Sequence, residues 1–398
     1  MVAGLSDDDY IALVAEADAR VADVAGVGFV TTPLVTLDLA AAGIDRPVMA
    51  KVETGSVGGS HKARHLFGLL LDQLIIERTS TATPGPLAIA SCGNAAVGAA
   101  IVARSAEREL AVFVPPTAEP AVLDALAHHG ARVTTCERTP SSPPGDPCIV
   151  AMEAAVADGH RPFTVQGTVA PAVIDGGRTL GLELAAQLAE RSLAPGRLFV
   201  QIGGGALATA VMDGLARSPW GFAPRLHPVQ PESAHPYVAC WHRAWNRLAD
   251  ALDLDDPGTD AERAALLTAL RTGPLATDPD DPSVTLPAIL AAEPDLMQPW
   301  PTEPHSVAGG ILDDVTYDWR TVMAHQLRTG GWPITVTEET FVEATKAAAD
   351  QVDPPPDATG AAGLAGLLTL ERAGDRGSVP DERADGEVDV VLLTGVAR

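Results

Sequence analysis

Short apolar runs alternate with longer stretches of helical period through most of the chain. Runs of strand length read "PLAIAS" (86–91), "LAVFVPP" (110–116), "RLFVQIG" (197–203), "RLHPVQP" (225–231) and "VDVVLLTG" (388–395). Between them, "NAAVGAAIVARSAE", "AEPAVLDALAHHG" and "GRTLGLELAAQLAER" have the length and spacing of helices. This alternation predicts α/β architecture, with parallel sheets and crossover helices. Two stretches break the rhythm: the turn-rich 138–148, and 252–304 with its Asp-Pro clusters, which reads as an insertion or lid.

A chain of 398 residues has room for two domains. Its net charge of -25 argues against a basic surface for nucleic acid or anionic lipid, because phosphate contacts need clustered Lys and Arg. Small-molecule partners fit better. The four cysteines, Cys92, Cys136, Cys148 and Cys240, form no C-x-x-C pair and have no histidine at zinc-ligand spacing, so free thiols and no metal are expected. No apolar run approaches the ~18 residues of a membrane helix. The start "MVAGLSDDDY" lacks a basic segment before an apolar core, so a cytoplasmic protein is expected.

Only three lysines occur, Lys51, Lys62 and Lys346. Lys346 lies opposite the apolar face formed by Phe341, Ala344, Ala348 and Val352, with Glu343 and Asp350 as expected ion partners. Lys51 sits in the strand pattern "RPVMAKVE", either buried against a carboxylate or exposed at an edge. Lys62 follows the small-residue turn "GSVGGSH" and precedes the apolar helix "HLFGLLLDQLII". A helix start disfavours a cation, and a lysine whose neutral amine is favoured suits Schiff-base chemistry.

Two strand–turn–helix junctions add to this. "QIGGGALATAV" sets Gly203, Gly204 and Gly205 between a strand and a helix, where backbone N–H groups can hold a phosphate. The same residues fit G-x-G-x-x-A, so a dinucleotide site competes. "SCGNAAVGAA" places Asn94 after a strand, either binding a carboxylate or ring oxygen or capping the helix.

In that order these elements resemble the fold-type II pyridoxal-phosphate enzymes: tryptophan synthase β chains, cysteine synthase, threonine synthase and serine/threonine ammonia-lyases. "TTPLVTL", "KVETGSVGGSHKARH", "SCGNAAVGAA", "VIDGGRTLGLEL", "QIGGGALATAV", "VQPES", "HSVAGGILDD", "DATGAAGLAGLL" and "VVLLTG" follow the family's order over about residues 30–398. The resemblance implies two three-layer domains with the cofactor in the cleft between them. The smaller would span 46–180, and the larger would combine 1–45 with 181–398. It implies that Lys62 carries pyridoxal 5'-phosphate as a Schiff base and that Asn94 bonds the ring 3-oxygen. Gly203, Gly204, Gly205 and Ala206 would hold the phosphate, and Thr394 would meet the pyridine nitrogen. Ser91, Gly93 and Asn94 would cup the substrate carboxylate.

His61 stands where many members have Phe and some tryptophan synthase-like sequences have His, and could pack beside the ring or serve the substrate. Arg64 and Arg178 read as structural ion-pair residues. The expected reaction removes the α-proton of a small L-amino acid and eliminates its β-substituent, with β-replacement and threonine synthase-like γ-replacement as alternatives. A homodimer is implied. Two readings of other classes, an NAD-dependent oxidoreductase and a non-catalytic binding protein, leave Lys62, the asparagine turn and Thr394 together unexplained.

Overall fold

In strands β3 (Leu87–Ala90) and β4 (Leu110–Val114), successive side chains enter different cores. Leu87, Ile89, Leu110, Val112 and Val114 face one hydrophobic cluster, while Ala88 and Phe113 face another with Cys148 and Met152. A strand apolar on both faces must be covered on both sides by helices. In the computed structural model, which describes residues 4–138, 146–251, 295–373 and 386–397, this is the arrangement found.

The chain forms two compact units, residues 1–32 with 53–180 and residues 33–52 with 181–397. The first holds a four-stranded parallel sheet of order β5-β4-β3-β6, where β5 is Arg132–Thr135 and β6 is Arg161–Pro162. Helices α1 (Asp7–Ala25), α2 (Lys62–Thr79), α3 (Asn94–Ser105) and α4 (Pro120–His128) supply the larger core, and α5 (Pro147–Ala157) covers the opposite face.

Residues 1–32 were expected with the larger domain. They belong instead to this unit, because Leu13, Ala17 and Val21 of α1 bury themselves in the core of α2 and α3. Ser6 starts α1 by accepting from the Asp9 N–H, and Gly26 ends it in the left-handed region.

The second unit holds six strands in the order β1-β2-β10-β7-β8-β9. They are β1 (Leu34–Leu39), β2 (Ile44–Val52), β7 (Ala194–Gln201), β8 (Arg225–Pro231), β9 (Ile334–Val336) and β10 (Glu387–Leu393). Among these described strands only β1 runs antiparallel, as a hairpin with β2. One face packs Val48, Ala50, Phe199, Val229, Val391 and Leu393 against α10 (Glu338–Ala349) and α11 (Ala362–Ala373). The other described helices are α6 (Ala172–Glu190), α7 (Ala206–Arg217), α8 (Pro236–Ala251) and α9 (Trp319–Thr329).

Alternation along β2 settles the role of Lys51. With Ala50 and Val52 in one core, Lys51 points to the other face, fully buried. There its Nζ donates to Glu183 at 2.5 Å and to Gln187 at 2.9 Å, an i, i+4 pair on α6. Lys346 is exposed on α10, and Glu343, its expected partner, pairs with Arg372 instead. Trp241 and Trp245 share one face of α8, stacked at 5.8 Å, with Trp332 edge-on to both. Of the expected insertion 252–304, residues 252–294 lie outside the described residues.

Candidate active site

The turn before Lys62 is built on glycine. Gly58 and Gly59 have φ of 67° and 71°, a region in which a β-carbon is disfavoured. A Cβ on Gly58 would also stand 3.0 Å from Ile101 of α3. The chain leaves this turn at Ser60 and His61 and enters α2 at Lys62 itself. Lys62 is half-buried, and its N–H donates weakly to Ser60 Oγ at 3.4 Å.

Two residues on, Arg64 fixes the start of the helix. Its guanidinium donates to both oxygens of buried Glu53 at 2.8 and 3.0 Å, and Thr32 Oγ1 donates to the same carboxylate. The expected structural role of Arg64 is what the structure shows. Its backbone carbonyl is equally confined, since a Cβ on Gly176 would collide with it. Arg178 pairs with Asp175 at 2.5 Å across one helical turn.

His65 is buried, and its Nδ1 donates to the Val173 carbonyl at 2.8 Å. Burial, with the charges of Lys62 and Arg64, lowers its pKa to about 3, so it is a neutral donor near neutral pH. The buried His61 ring meets it edge-on at 5.5 Å.

The asparagine turn lies one helix away. β3 ends at Ala90, and the Ser91 N–H still donates to the Phe113 carbonyl at 3.1 Å. Cys92 is exposed at the turn. Gly93 takes the N-cap position with no side-chain cap, so Asn94 is the first helical residue and does not cap α3. Gly98, one turn on, crosses α2 so closely that a Cβ would be 3.2 Å from the Ala63 amide nitrogen. The small residues of "NAAVGAA" therefore bring the first turns of α2 and α3 side by side, Lys62 opening one and Asn94 the other.

In the second unit, β7 ends at Gln201 and runs through Gly203, Gly204 and Gly205 into α7. Gly205 is the N-cap at φ 99°, and its carbonyl accepts the first helical bond, from the Thr209 N–H. The opening N–H groups of a helix have no partner within it, and the helix dipole makes that end attractive to an anion.

The segment 311–318 lines the loop. A β-carbon built on Gly203 would strike Asp313, one on Gly204 would stand 3.2 Å from Tyr317, and one on Gly205 would stand 3.2 Å from Asp318 and 3.3 Å from Thr316. The Asp318 N–H closes the contact by donating to the Gly204 carbonyl at 2.8 Å.

On the neighbouring strand of the same sheet, β10 ends at Leu393 and hands the chain to Thr394, which is buried. Gln201 Nε2 donates to Thr394 Oγ1 and, at 3.0 Å, to the Thr359 carbonyl. The glycine loop and Thr394 thus share the carboxyl ends of parallel strands, where open α/β sheets bind ligands.

These residues fit pyridoxal phosphate. Thr209 Oγ1 near the start of α7 and Thr316 Oγ1 beside Gly205 are buried hydroxyls without a hydrogen-bond partner among the described residues, and a phosphate would supply an acceptor. The sequence pattern did not single out Gln201, Thr209, Thr316 or Tyr317. For Gln201 and Thr209 the signal was available, since polar residues in buried elements flanking a glycine loop need a reason. The others reach the loop only through folding of a segment more than a hundred residues away. Among the described residues, no group of three or more His, Cys, Asp or Glu could hold a metal ion, and no helix is long and apolar enough to cross a membrane.

The fold recurs in solved structures. Threonine deaminase of T.th. matches at 22% identity and TM-score 0.63, covering 99% of each chain. Threonine deaminase isoform 2 of Solanum lycopersicum matches at 17% and TM-score 0.63, covering 100% of this chain and 92% of that one. Diaminopropionate ammonia lyase of Escherichia coli matches at 17% and TM-score 0.63, covering 99% and 91%. No curated protein matches the sequence. The family described as "Pyridoxal-phosphate dependent enzyme" matches residues 27–273, more than half of the sequence, and the chain belongs to that family as an enzyme of pyridoxal phosphate.

Proposed function

We propose that the protein eliminates the β-substituent of a small L-amino acid, in the manner of an ammonia-lyase. The observation that carries this is the residue at the end of β10: a neutral, buried Thr394 hydroxyl, where a carboxylate or guanidinium would favour other chemistry. A hydroxyl leaves the ring nitrogen unprotonated, which favours elimination and replacement over transamination.

In this reading Lys62 carries the cofactor, Asn94 bonds the ring 3-oxygen, and Gly203, Gly204, Gly205 and Ala206 hold the phosphate. Pyridoxal phosphate, when bound, supplies an electrophilic carbon for the substrate amine and a conjugated ring that accepts carbanion charge. Ser91, Gly93 and Asn94 grip the substrate carboxylate, and His61 borders the substrate. Lys62 Nζ, as the neutral amine, takes the α-proton and returns a proton to the departing β-group. Neutral His65, anchored on Val173, places no second cation beside that amine. The solved threonine deaminases and diaminopropionate ammonia lyase support the elimination reading through likeness of fold. We further expect a cytoplasmic homodimer.

The test is the absorbance spectrum of the purified protein with pyridoxal phosphate, repeated with serine, threonine, O-acetylserine and O-phosphohomoserine separately. A violet band that shifts with serine or threonine, with keto acid and ammonia released, is the expected result. A shift without ammonia, requiring a second nucleophile, would replace elimination by β-replacement. Turnover of O-phosphohomoserine alone would point to γ-replacement. Full activity in Lys62→Ala would overturn the mechanism.

A further inference from the structure

We propose that Cys136 and Cys148 form an oxidisable pair, a modification site at which a peroxide converts two thiols into one reversible disulfide. The site lies wholly within the first unit and does not depend on the cofactor.

Strand alternation brings the two residues together. In the parallel register, Phe113 of β4 stands beside Thr134 of β5. Phe113 faces the small core that it shares with Ala88, Cys148 and Met152, the face that α5 covers, and Thr134 shows that same face. Cys136, two positions on, returns to it and packs against this cluster. The Cys136 N–H donates to the Val114 carbonyl at 2.8 Å, which carries the ladder one residue past the end of β5.

Cys148 arrives from α5. It follows Pro147 in the first turn, and its N–H donates to Oδ1 of the capping Asp146 at 2.7 Å. Both cysteines are thus held by their backbones, one at the end of an edge strand and the other at the start of the helix over it. The Cys148 thiol is within hydrogen-bonding reach of the Cys136 sulfur.

The two sulfurs differ in access. Cys148 is 5% exposed, whereas Cys136 is only half-buried. A helix N-terminus ordinarily favours a thiolate. Here burial, reinforced by the Asp146 carboxylate and the neighbouring Cys136, pushes the Cys148 pKa far above the usual thiol range. Cys148 therefore waits as a thiol, and Cys136 is the sulfur that a peroxide in solution meets first.

The electron count closes on one peroxide. The Cys136 sulfur takes one oxygen of hydrogen peroxide as the O–O bond breaks, giving a sulfenic acid and one water. The Cys148 sulfur then attacks that sulfur. The S–O bond breaks, and the hydroxyl leaves with the Cys148 proton as a second water. Two thiols are oxidised to a disulfide and one peroxide is reduced to two waters. A dithiol reverses the step by exchange.

The experiment treats the full chain, as wild type and as Cys92→Ser, with one equivalent of hydrogen peroxide at neutral pH. Remaining thiols are then alkylated in denaturant. Cys92→Ser removes the exposed thiol of the asparagine turn as a competitor. We expect the thiol count of Cys92→Ser to fall by two per chain and to recover with dithiothreitol. Non-reducing peptide mapping should join the peptides that carry Cys136 and Cys148. In Cys148→Ala, a sulfenic-acid trap such as dimedone should label Cys136. In Cys136→Ala, Cys148 should oxidise at least ~10-fold more slowly than the pair does, because its sulfur is shielded and protonated.

Oxidation of Cys136 to sulfinic acid while Cys148 stays alkylatable would overturn the proposal. So would a linkage of either residue to Cys92 or Cys240, or both thiols surviving excess peroxide. Should Cys148→Ala fail to fold, the peptide map of the unaltered chain decides the matter alone, since it needs no substitution in the core.

Discussion

Replacing Arg64 by Met leaves Glu53 as a charge without its cation in a place water cannot reach. The side chains are 6% and 0% exposed, and the guanidinium contacts both carboxylate oxygens at 2.8 and 3.0 Å. Breaking a buried pair from one side costs about 3–5 kcal/mol, mostly because the remaining ion stays desolvated. Thr32 Oγ1 continues to donate to Glu53, which places the expectation at the low end, about 3 kcal/mol.

The pair can be removed from both sides, which separates that penalty from lost packing. In Glu53→Gln/Arg64→Met no uncompensated charge remains, so the double variant should be more stable than Arg64→Met alone. Chemical denaturation of wild type, both single variants and the double variant measures this cycle. A loss below about 1 kcal/mol for Arg64→Met, or a double variant as unstable as the sum of the singles, would refute the argument. Because Arg64 pins the first turn of α2, its loss should also lower kcat by more than it raises KM.

Further outcomes follow from other groups. Lys51→Met should destabilise the fold by removing the buried cation bonded to Glu183 and leave turnover nearly intact, whereas Lys62→Ala should abolish turnover at little cost in melting temperature. Gly205→Ala would force φ of 99° on a residue with a β-carbon and press it to 3.2 Å from Asp318, so cofactor affinity should fall at least ~10-fold by equilibrium titration. Burial lowers His65 and His227 to about 3 and His325 to about 4, below the unfolded value of 6.5. Their stabilising effect is complete above pH 6.5 and fades as pH falls toward 3–4. Each should contribute about 1.4 kcal/mol less at pH 5.5 than at pH 7.5, and a flat stability profile over that range would contradict their burial as neutral rings.

The amino-acid sequence by itself determined the layered α/β class and the positions of the principal junctions, and the order of its motifs carried the resemblance that implied the cofactor. The first two properties are local. A strand apolar at every position implies helices on both faces, and a glycine triplet between strand and helix implies exposed N–H groups wherever the junction lies. Lys62 stands out in the sequence because lysine is rare here, and this one opens a helix behind a glycine turn.

Tertiary structure decided what depends on partners distant in the chain. Lys51 could be read as buried or exposed until β2 took its place beside β10 and α6 supplied Glu183 and Gln187. Helix α1 belongs with α2 and α3 because its buried stripe fits their core, a match no periodicity reveals. Asn94 could have been a cap until Gly93 occupied that position. Gln201 and Thr394 lie 193 positions apart, and their hydrogen bond exists only because β7 and β10 are neighbours in one sheet. Hydrophobic period fixes which face a residue shows, whereas strand order fixes what it meets there.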